Sequence, residues 1–256
     1  MNELSQRAIM DGKTDLFIAL IFLGAGFAQG LSGFGSALLA MPLLTLFIKV
    51  KTAVPLCMLN GVIITLFLSL QLKRHMDWQK IGPLLTGCLP GIWVGVFFLL
   101  HTRDGIMKLL LGVMLISYAL YSLTFRPPSQ KIHAFWPSYL AGFATGVISA
   151  SFSAGGPPTV IYATLTDWSK DDIKATLSGF FFVTGLFAAV AHFMSGLITG
   201  EVLHYFSVSL VFVLLGVYLG SICYGRIKKD TFIKIMLIIL MMMGTMMISS
   251  LWGNNR

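Results

Sequence analysis

Charge is what this sequence has least of. Only 11% of its 256 residues are charged, 10 Asp and Glu against 18 Lys and Arg, where a soluble domain carries roughly 25%. With 56% hydrophobic residues and a mean hydropathy of +0.84, a water-soluble fold is excluded. Cysteine is scarce too. Cys57, Cys88 and Cys223 lie in apolar stretches with no paired spacing, which excludes a disulfide framework and a zinc site and leaves small core thiols. No carboxylate falls inside an apolar stretch, and there is no His-Glu-x-x-His, no Gly-x-Ser-x-Gly and no nucleotide-binding loop. The chain therefore reads as no enzyme, without cofactor or metal, and not driven by ATP on its own. The net charge of +8 sits in short connections such as Lys73-Arg74 and Arg226-Ile227-Lys228-Lys229, not on a basic face, so no nucleic-acid partner is expected.

What is present is apolar length. Charge-free stretches cover 16–48, 52–72, 81–102, 109–125, 132–166, 175–200, 202–225 and 235–255, and roughly 20 apolar residues cross a bilayer as a helix. The expected fold is an all-α membrane protein of about eight hydrophobic segments. The first and fifth stretches, 33 and 35 residues long, would make straight helices of about 50 Å at about 1.5 Å per residue, against a hydrocarbon core of about 30 Å. One plain crossing does not fit either of them. Each carries helix-disrupting residues, Gly30, Gly33, Gly35 and Pro42 in the first and Gly155-Gly156-Pro157-Pro158 in the fifth, so each is expected to be broken or re-entrant. The first is also too long for a signal-peptide core and is expected to be retained.

The pattern of one very long stretch followed by three ordinary ones occurs twice. Gly26-Phe-Ala-Gln-Gly30 matches Gly142-Phe-Ala-Thr-Gly146 at an offset of 116 that also carries Met41-Pro42 onto Pro157-Pro158. Gly91 to Gly95 likewise matches Gly216 to Gly220. The organisation expected is a polar tail at 1–14, a first repeat at 15–125, a Pro-Pro linker at 126–133, a second repeat at 134–252 and a tail at 253–256. Duplicated halves are the usual build of secondary transporters.

Dense polar clusters lie beside both expected breaks: Gln29, Ser32 and Ser36, then Thr145, Ser149, Ser151 and Ser153. Taken singly, such hydroxyls serve helix packing. Two clusters at matching positions beside matching breaks point to a central cavity. A helix restarting inside the membrane presents unoccupied N–H groups and about half a positive charge, an anion site without an ionised side chain. The candidate substrate-binding residues are Gln29, Ser32, Gly33, Phe34, Gly35, Ser36, Asn60, Ser149, Ser151, Ser153, Gly155, Gly156 and Ser178. His192, inside an apolar stretch, has two readings: a proton relay, or a neutral ring bonded to a neighbouring helix. Lys108 and Lys234 are expected to snorkel to the interface, and Lys170 and Lys174 to flank a solvated helix start with Asp171 and Asp172. The Met241-Met242-Met243 run reads as packing or lipid-facing material.

These motifs resemble the sulfite exporter TauE/SafE family of bacterial anion permeases. The residues that carry the likeness are Gly30-Leu-Ser-Gly-Phe-Gly-Ser-Ala-Leu-Leu-Ala-Met-Pro42, Gly155-Gly156-Pro157-Pro158 and the two glycine pairs of 91–95 and 216–220. Many members carry further glycines where this chain has Ser36 and Ala37. The resemblance implies a permease for sulfite, sulfoacetate or other sulfonate-type anions, expected in a bacterial inner membrane. Without a nucleotide-binding loop, coupling to a proton or sodium ion and simple facilitated movement are the two alternatives, and a homo-oligomer is open. The alternative from another class is a membrane-embedded scaffold without transport activity. Orientation follows from Lys and Arg: if both long stretches double back, the halves point in opposite directions and the charges divide 11 against 7, favouring inverted halves.

Overall fold

In the computed structural model, which describes residues 3–125, 136–166, 170–224 and 229–253, the chain is helical with no strand among the described residues. Ten α-helices follow in order: α1 (Glu3–Ser32), α2 (Ser36–Leu44), α3 (Val50–Leu72), α4 (Trp78–His101), α5 (Asp104–Thr124), α6 (Trp136–Phe152), α7 (Gly156–Thr164), α8 (Lys170–Met194), α9 (Gly200–Cys223) and α10 (Lys229–Gly253). The linker at 126–133 and the basic residues Arg226 and Lys228 lie outside the described residues. Seven helices, α1, α3, α4, α5, α8, α9 and α10, are long and apolar enough to cross a membrane; α6, at 17 residues, is shorter. Helix α1 begins at Glu3, so the stretch read as a polar tail is helical from there on.

Glycine sets the closest packing. Helix α1 lies mainly on α9 and α4 mainly on α6. A Cβ at Gly26 would fall 2.6 Å from Val213 O, and one at Gly95 would fall 2.5 Å from Val147 O. These backbones approach as small-residue seams allow in membranes, where dispersion and close contact take over from hydrophobic burial. Both seams run parallel. Asp15, midway along α1, pairs with His204 at 3.2 Å near the start of α9, and Gly30 meets Val217 and Ser221 near the ends of both; Gly87 meets Tyr139, and Gly95 meets Val147.

The other two large contacts run antiparallel. Gly185 lies on Val62 while Thr176 Oγ1 accepts from Asp77 N–H at 3.3 Å, which sets α8 against α3. Gly112 lies on Ile248 and Gly244 on Ile116, which sets α10 against α5. Helices joined by tight turns, α3 to α4 and α8 to α9, also reverse direction. It follows that α1, α3 and α9 run one way and α4, α6 and α8 the other. The chain between α1 and α3, containing α2, therefore returns to the face from which α1 starts.

Helix ends are satisfied locally. Asp77 caps α4 by accepting from Gln79 N–H at 3.0 Å and Lys80 N–H at 3.4 Å, and Asp104 accepts from Val50 N–H at 3.2 Å at the start of α3. Trp78 and Trp136 are exposed at helix starts, as membrane-interface aromatics are. The free cysteines behave as packing groups at Cys88, which is buried, while Cys57 is buried in the wall of the cavity described below.

Two neighbouring glycines of α1 separate packing from propensity. Gly24 is exposed with nothing within 4 Å of its would-be Cβ, so Gly24→Ala should stabilise by about 0.5–1 kcal/mol. Gly26→Ala, against the α9 backbone, should destabilise by about 1–3 kcal/mol. Thermal melts of the two variants in detergent give the comparison; equal melts would mean that the α1–α9 seam is not close-packed.

Candidate functional site

Two short junctions interrupt the helical ladder inside the bundle. Between α1 and α2, Gly33 and Gly35 take φ of +89° and +99°, angles that cost glycine nothing and other residues dearly. Gly33 N–H still donates to Gln29 O at 2.7 Å. Ser32 Oγ lies 2.7 Å from Ala28 O and 2.6 Å from Phe34 O, so its proton stays on its own chain segment. Ser36 N–H, the first donor of α2, is taken by Gln29 Oε1 at 3.2 Å.

Between α6 and α7 the backbone turns with one left-handed residue instead of two, Gly155 having φ −70°. Ser153 has φ +56°, its N–H donates to Ser149 O at 2.7 Å, and its hydroxyl donates to Val54 O at 3.0 Å. Helix α7 then begins with Gly156-Pro157-Pro158, and the two prolines have no N–H to offer. Ser32 and Phe152, Ser36 and Gly156, and Leu44 and Thr164 are each 120 residues apart. The glycine match at 116 is thus one helical turn out of register with the junctions. A Gly-x-x-x-Gly pattern looks the same after a slip of four, and at the junction spacing Pro42 faces Tyr162 instead of Pro158.

Both junctions line one hollow of about 60 Å³, several times the roughly 10–15 Å³ that a single water requires. Gln29, Phe34, Gly35 and Ser36 form one side, and Ser149, Ser153, Gly155 and Gly156 the other. The flanking walls come from α3, including Met58, Gly61 and Thr65, and from α8 through Phe181 and Gly185. These wall residues carry no sequence signal, because each is one position in a long apolar helix with no polar cluster around it.

Five expected site residues lie elsewhere. Ser32 and Gly33 line a neighbouring, larger cavity. Asn60 donates to Leu56 O and Ser209 Oγ, both at 3.0 Å, tying α3 to α9. Ser151 donates to Gly95 O at 3.1 Å across the α4–α6 seam, and Ser178 donates to Lys174 O at 2.7 Å along its own helix. Thr145 shares a hydrogen bond of 2.8 Å with Thr159, pinning α7 to α6.

His192 and Lys174 do a common job from the two ends of α8. A carbonyl near the end of a helix has no N–H four residues on. Gly30 O and Ala150 O hold that position, each two residues before its helix ends. Lys174 Nζ donates to Gly30 O at 3.0 Å, and His192 Nε2 donates to Ala150 O at 2.9 Å. His192 Nδ1 is buried without a partner among the described residues. Lys174 corrects the expectation of a solvated helix start: it lies one turn inside α8 and is only 5% exposed.

Residues 18–247 match the family described as Sulfite exporter TauE/SafE. The chain belongs to this family. No curated protein and no solved structure matches it. The TauE/SafE match and the seven apolar helices make it a multi-pass membrane protein of a transporter family, whose members act on small anions.

Gly35 tests the first junction. Only Met236 and Leu38 side-chain atoms come within 4 Å of its would-be Cβ, none closer than 3.7 Å. Gly35→Ala is therefore free of clash, and its whole effect is the left-handed backbone, about 1–2 kcal/mol of destabilisation. A thermal melt in detergent that does not move would mean that the chain passes from α1 to α2 by another route.

Proposed function

We propose that this chain is a secondary transporter. It moves a small organic or sulfur-containing anion, of the sulfite, sulfoacetate or other sulfonate type, across the bacterial inner membrane through the hollow between the two junctions. One observation carries the reading: residues about 120 positions apart, from two helix breaks that each turn on a left-handed residue, line the same cavity. The halves are α1–α5 and α6–α10. Support comes from α2 and α7 being nine residues each, from the exchanged pairing of α1 with α9 and α4 with α6, and from the opposite directions of α1 and α6. Inverted repeats with broken helices meeting at the substrate are a common transporter build. Lys73, Arg74 and Lys80 mark the face where α3 ends and α4 begins, and the charge bias puts it in the cytoplasm.

The first junction holds the anion and the second shapes the pocket. The first-turn N–H groups of α2 lack helical acceptors and sit at the positive end of its dipole. Gln29 Oε1 rests on the Ser36 N–H as a neutral stand-in for an anion oxygen. When the anion takes that place, the Gln29 amide turns its NH₂ toward it. Helix α7 has less to give, because Pro157 and Pro158 carry no donor. Ser149 and Ser153 border the same hollow. With no charged residue among the described residues of this lining, neutral donors select the anion, and release does not have to break an ion pair. Accumulation against a gradient draws on a coupled proton or sodium ion. His192 takes the second of its two readings, a donor bracing α6, because its ring does not border the hollow.

Flux of radiolabelled sulfite and sulfonates into proteoliposomes tests the function, with flux above protein-free liposomes expected. Gln29→Glu places a fixed carboxylate on the α2 N-terminus, so anion affinity should fall about ten- to a hundredfold while the melting temperature holds. Parental affinity in that variant would mean the anion binds elsewhere. His192→Gln, which keeps an N–H for Ala150 O, should retain flux; a well-folded His192→Gln protein without flux would make the ring a relay.

A further inference from the structure

We propose that the pocket where α3 and α5 begin and α4 ends is a binding site for an anionic phospholipid, with Lys49 and Arg103 as the cations that take its phosphate. The site lies on the face opposite the one where α3 ends, apart from the hollow, and does not rest on the transport reading.

Charge and helix starts conflict at this pocket. The residue that precedes a helix is by preference Asp, Ser, Asn or Thr, whose oxygen takes up a free N–H, and the positive end of the helix dipole repels a cation. Lys49 holds that position for α3 and Arg103 for α5, and neither side chain caps its helix. Asp104 answers for α3, its carboxylate accepting from Val50 N–H at 3.2 Å. Both cations are exposed, and their side chains make no hydrogen bond or ion pair among the described residues. Two charges set against local preference at one pocket do nothing for the fold, and they point to a negative partner from outside the chain.

The pocket encloses about 390 Å³. Lys51 is partly committed within it, donating from Nζ to Leu100 O at 2.7 Å, where α4 runs out of N–H partners. His101 Nδ1 donates to Phe97 O at 2.8 Å, and the two rings stack. With His101 neutral, Lys49, Lys51 and Arg103 stand against the single carboxylate of Asp104, so the lining carries a surplus of two positive charges. Arg103 can grip two phosphate oxygens through its planar fork, and Lys49 adds a point charge.

Depth in the membrane decides which anion fits. Three helices long and apolar enough to cross start or stop here, at Val50, His101 and Asp104, so the pocket stands at headgroup level. Within about a turn of it, Phe97 on α4 and Ile106 on α5 are exposed, as is Phe47 two residues before Lys49. A free anion meets the charges alone. A phospholipid meets both levels, phosphate on Lys49 and Arg103 and acyl chains along Phe97 and Ile106. A headgroup with net negative charge is favoured, because the ammonium of a zwitterionic lipid would oppose the surplus.

The test is native mass spectrometry of the purified full-length protein, titrated in detergent with phosphatidylglycerol or phosphatidylcholine, with and without inorganic phosphate. The parent should hold one phosphatidylglycerol more tightly than further copies, and phosphatidylcholine far less. Lys49→Gln with Arg103→Gln should weaken that copy about twenty- to thirtyfold, at roughly fivefold per charge. Its melting temperature in lipid-free detergent should hold or rise, since each helix start loses a cation. Lys49→Arg with Arg103→Lys keeps the charge and should keep most of the affinity, and Lys73→Gln with Arg74→Gln, on the opposite face, should leave the copy in place. If the Gln pair fails to fold, Thr102→Glu replaces it, adding a carboxylate to the pocket without touching a helix start. Parental phosphatidylglycerol affinity in the Gln pair, or in Thr102→Glu, would overturn the site. Equal retention of phosphatidylcholine would overturn it as well, and release of the lipid by inorganic phosphate would make it a site for free anions. Anion flux enters none of these readouts, so the lipid site and the transport reading stand or fall separately.

Discussion

A helix that stops inside a bilayer leaves carbonyls that no water can reach, and the architecture around the two junctions follows from that one constraint. Leaving such a group unsatisfied costs about 1–3 kcal/mol. The chain meets the demand with α8, whose Lys174 and His192 reach Gly30 O and Ala150 O from positions 18 residues apart. Where the chain turns from α1 to α2 and from α6 to α7, the first N–H past each helix still closes on its own last turn, at Gln29 O and Ser149 O. What is left over is the set of donors at the start of α2, which border the hollow and which the proposed function assigns to the anion.

The two junctions share a left-handed residue at 33 and 153 but differ at 35 and 155, where Gly35 has φ +99° and Gly155 φ −70°, and they are unlike in chemistry. Glycine at 33 and 35 gives the first an open backbone, and an aromatic ring stands between them at Phe34. The second uses Ser153 in a left-handed conformation, held by Val54 O, and follows it with two prolines. A pair of matching breaks therefore does not give a symmetric site. Donors, aromatic partition and buried cation all fall on the first junction's side.

The membrane class, the helical fold and the residues around both junctions were legible in the sequence, because charge-free length and Gly and Pro clusters act locally. Of the residues named beside the two breaks, Gln29, Phe34, Gly35, Ser36, Ser149, Ser153, Gly155 and Gly156 line one hollow, while Ser32, Thr145 and Ser151 do not; the resemblance to the TauE/SafE family is borne out over residues 18–247. What was not legible depends on partners distant in sequence. Asn60 and Ser151 look like cavity donors until Ser209 and Gly95 O are seen to take them. Lys174 reads as solvated because it borders an apolar stretch, and only the packing of α8 against the end of α1 buries it. The register of the match failed for a periodic reason, since glycines every fourth residue cannot fix which turn pairs with which.

The glycine seams have a mechanical corollary. Where two backbones touch with no side chains between them, there is nothing to slide on, so α1 with α9 and α4 with α6 form stiff double-helix staves. Each stave takes one helix from the first half of the chain and one from the second. The two halves are laced through each other, and neither can tilt as a body without dragging part of the other along. Helices α5 and α10 also touch backbone to backbone, at Gly112 and Gly244, whereas α3 and α8 meet through side chains such as Val62 against Gly185. Any change of shape that opens the hollow has its softest face between α3 and α8, with the staves carried whole.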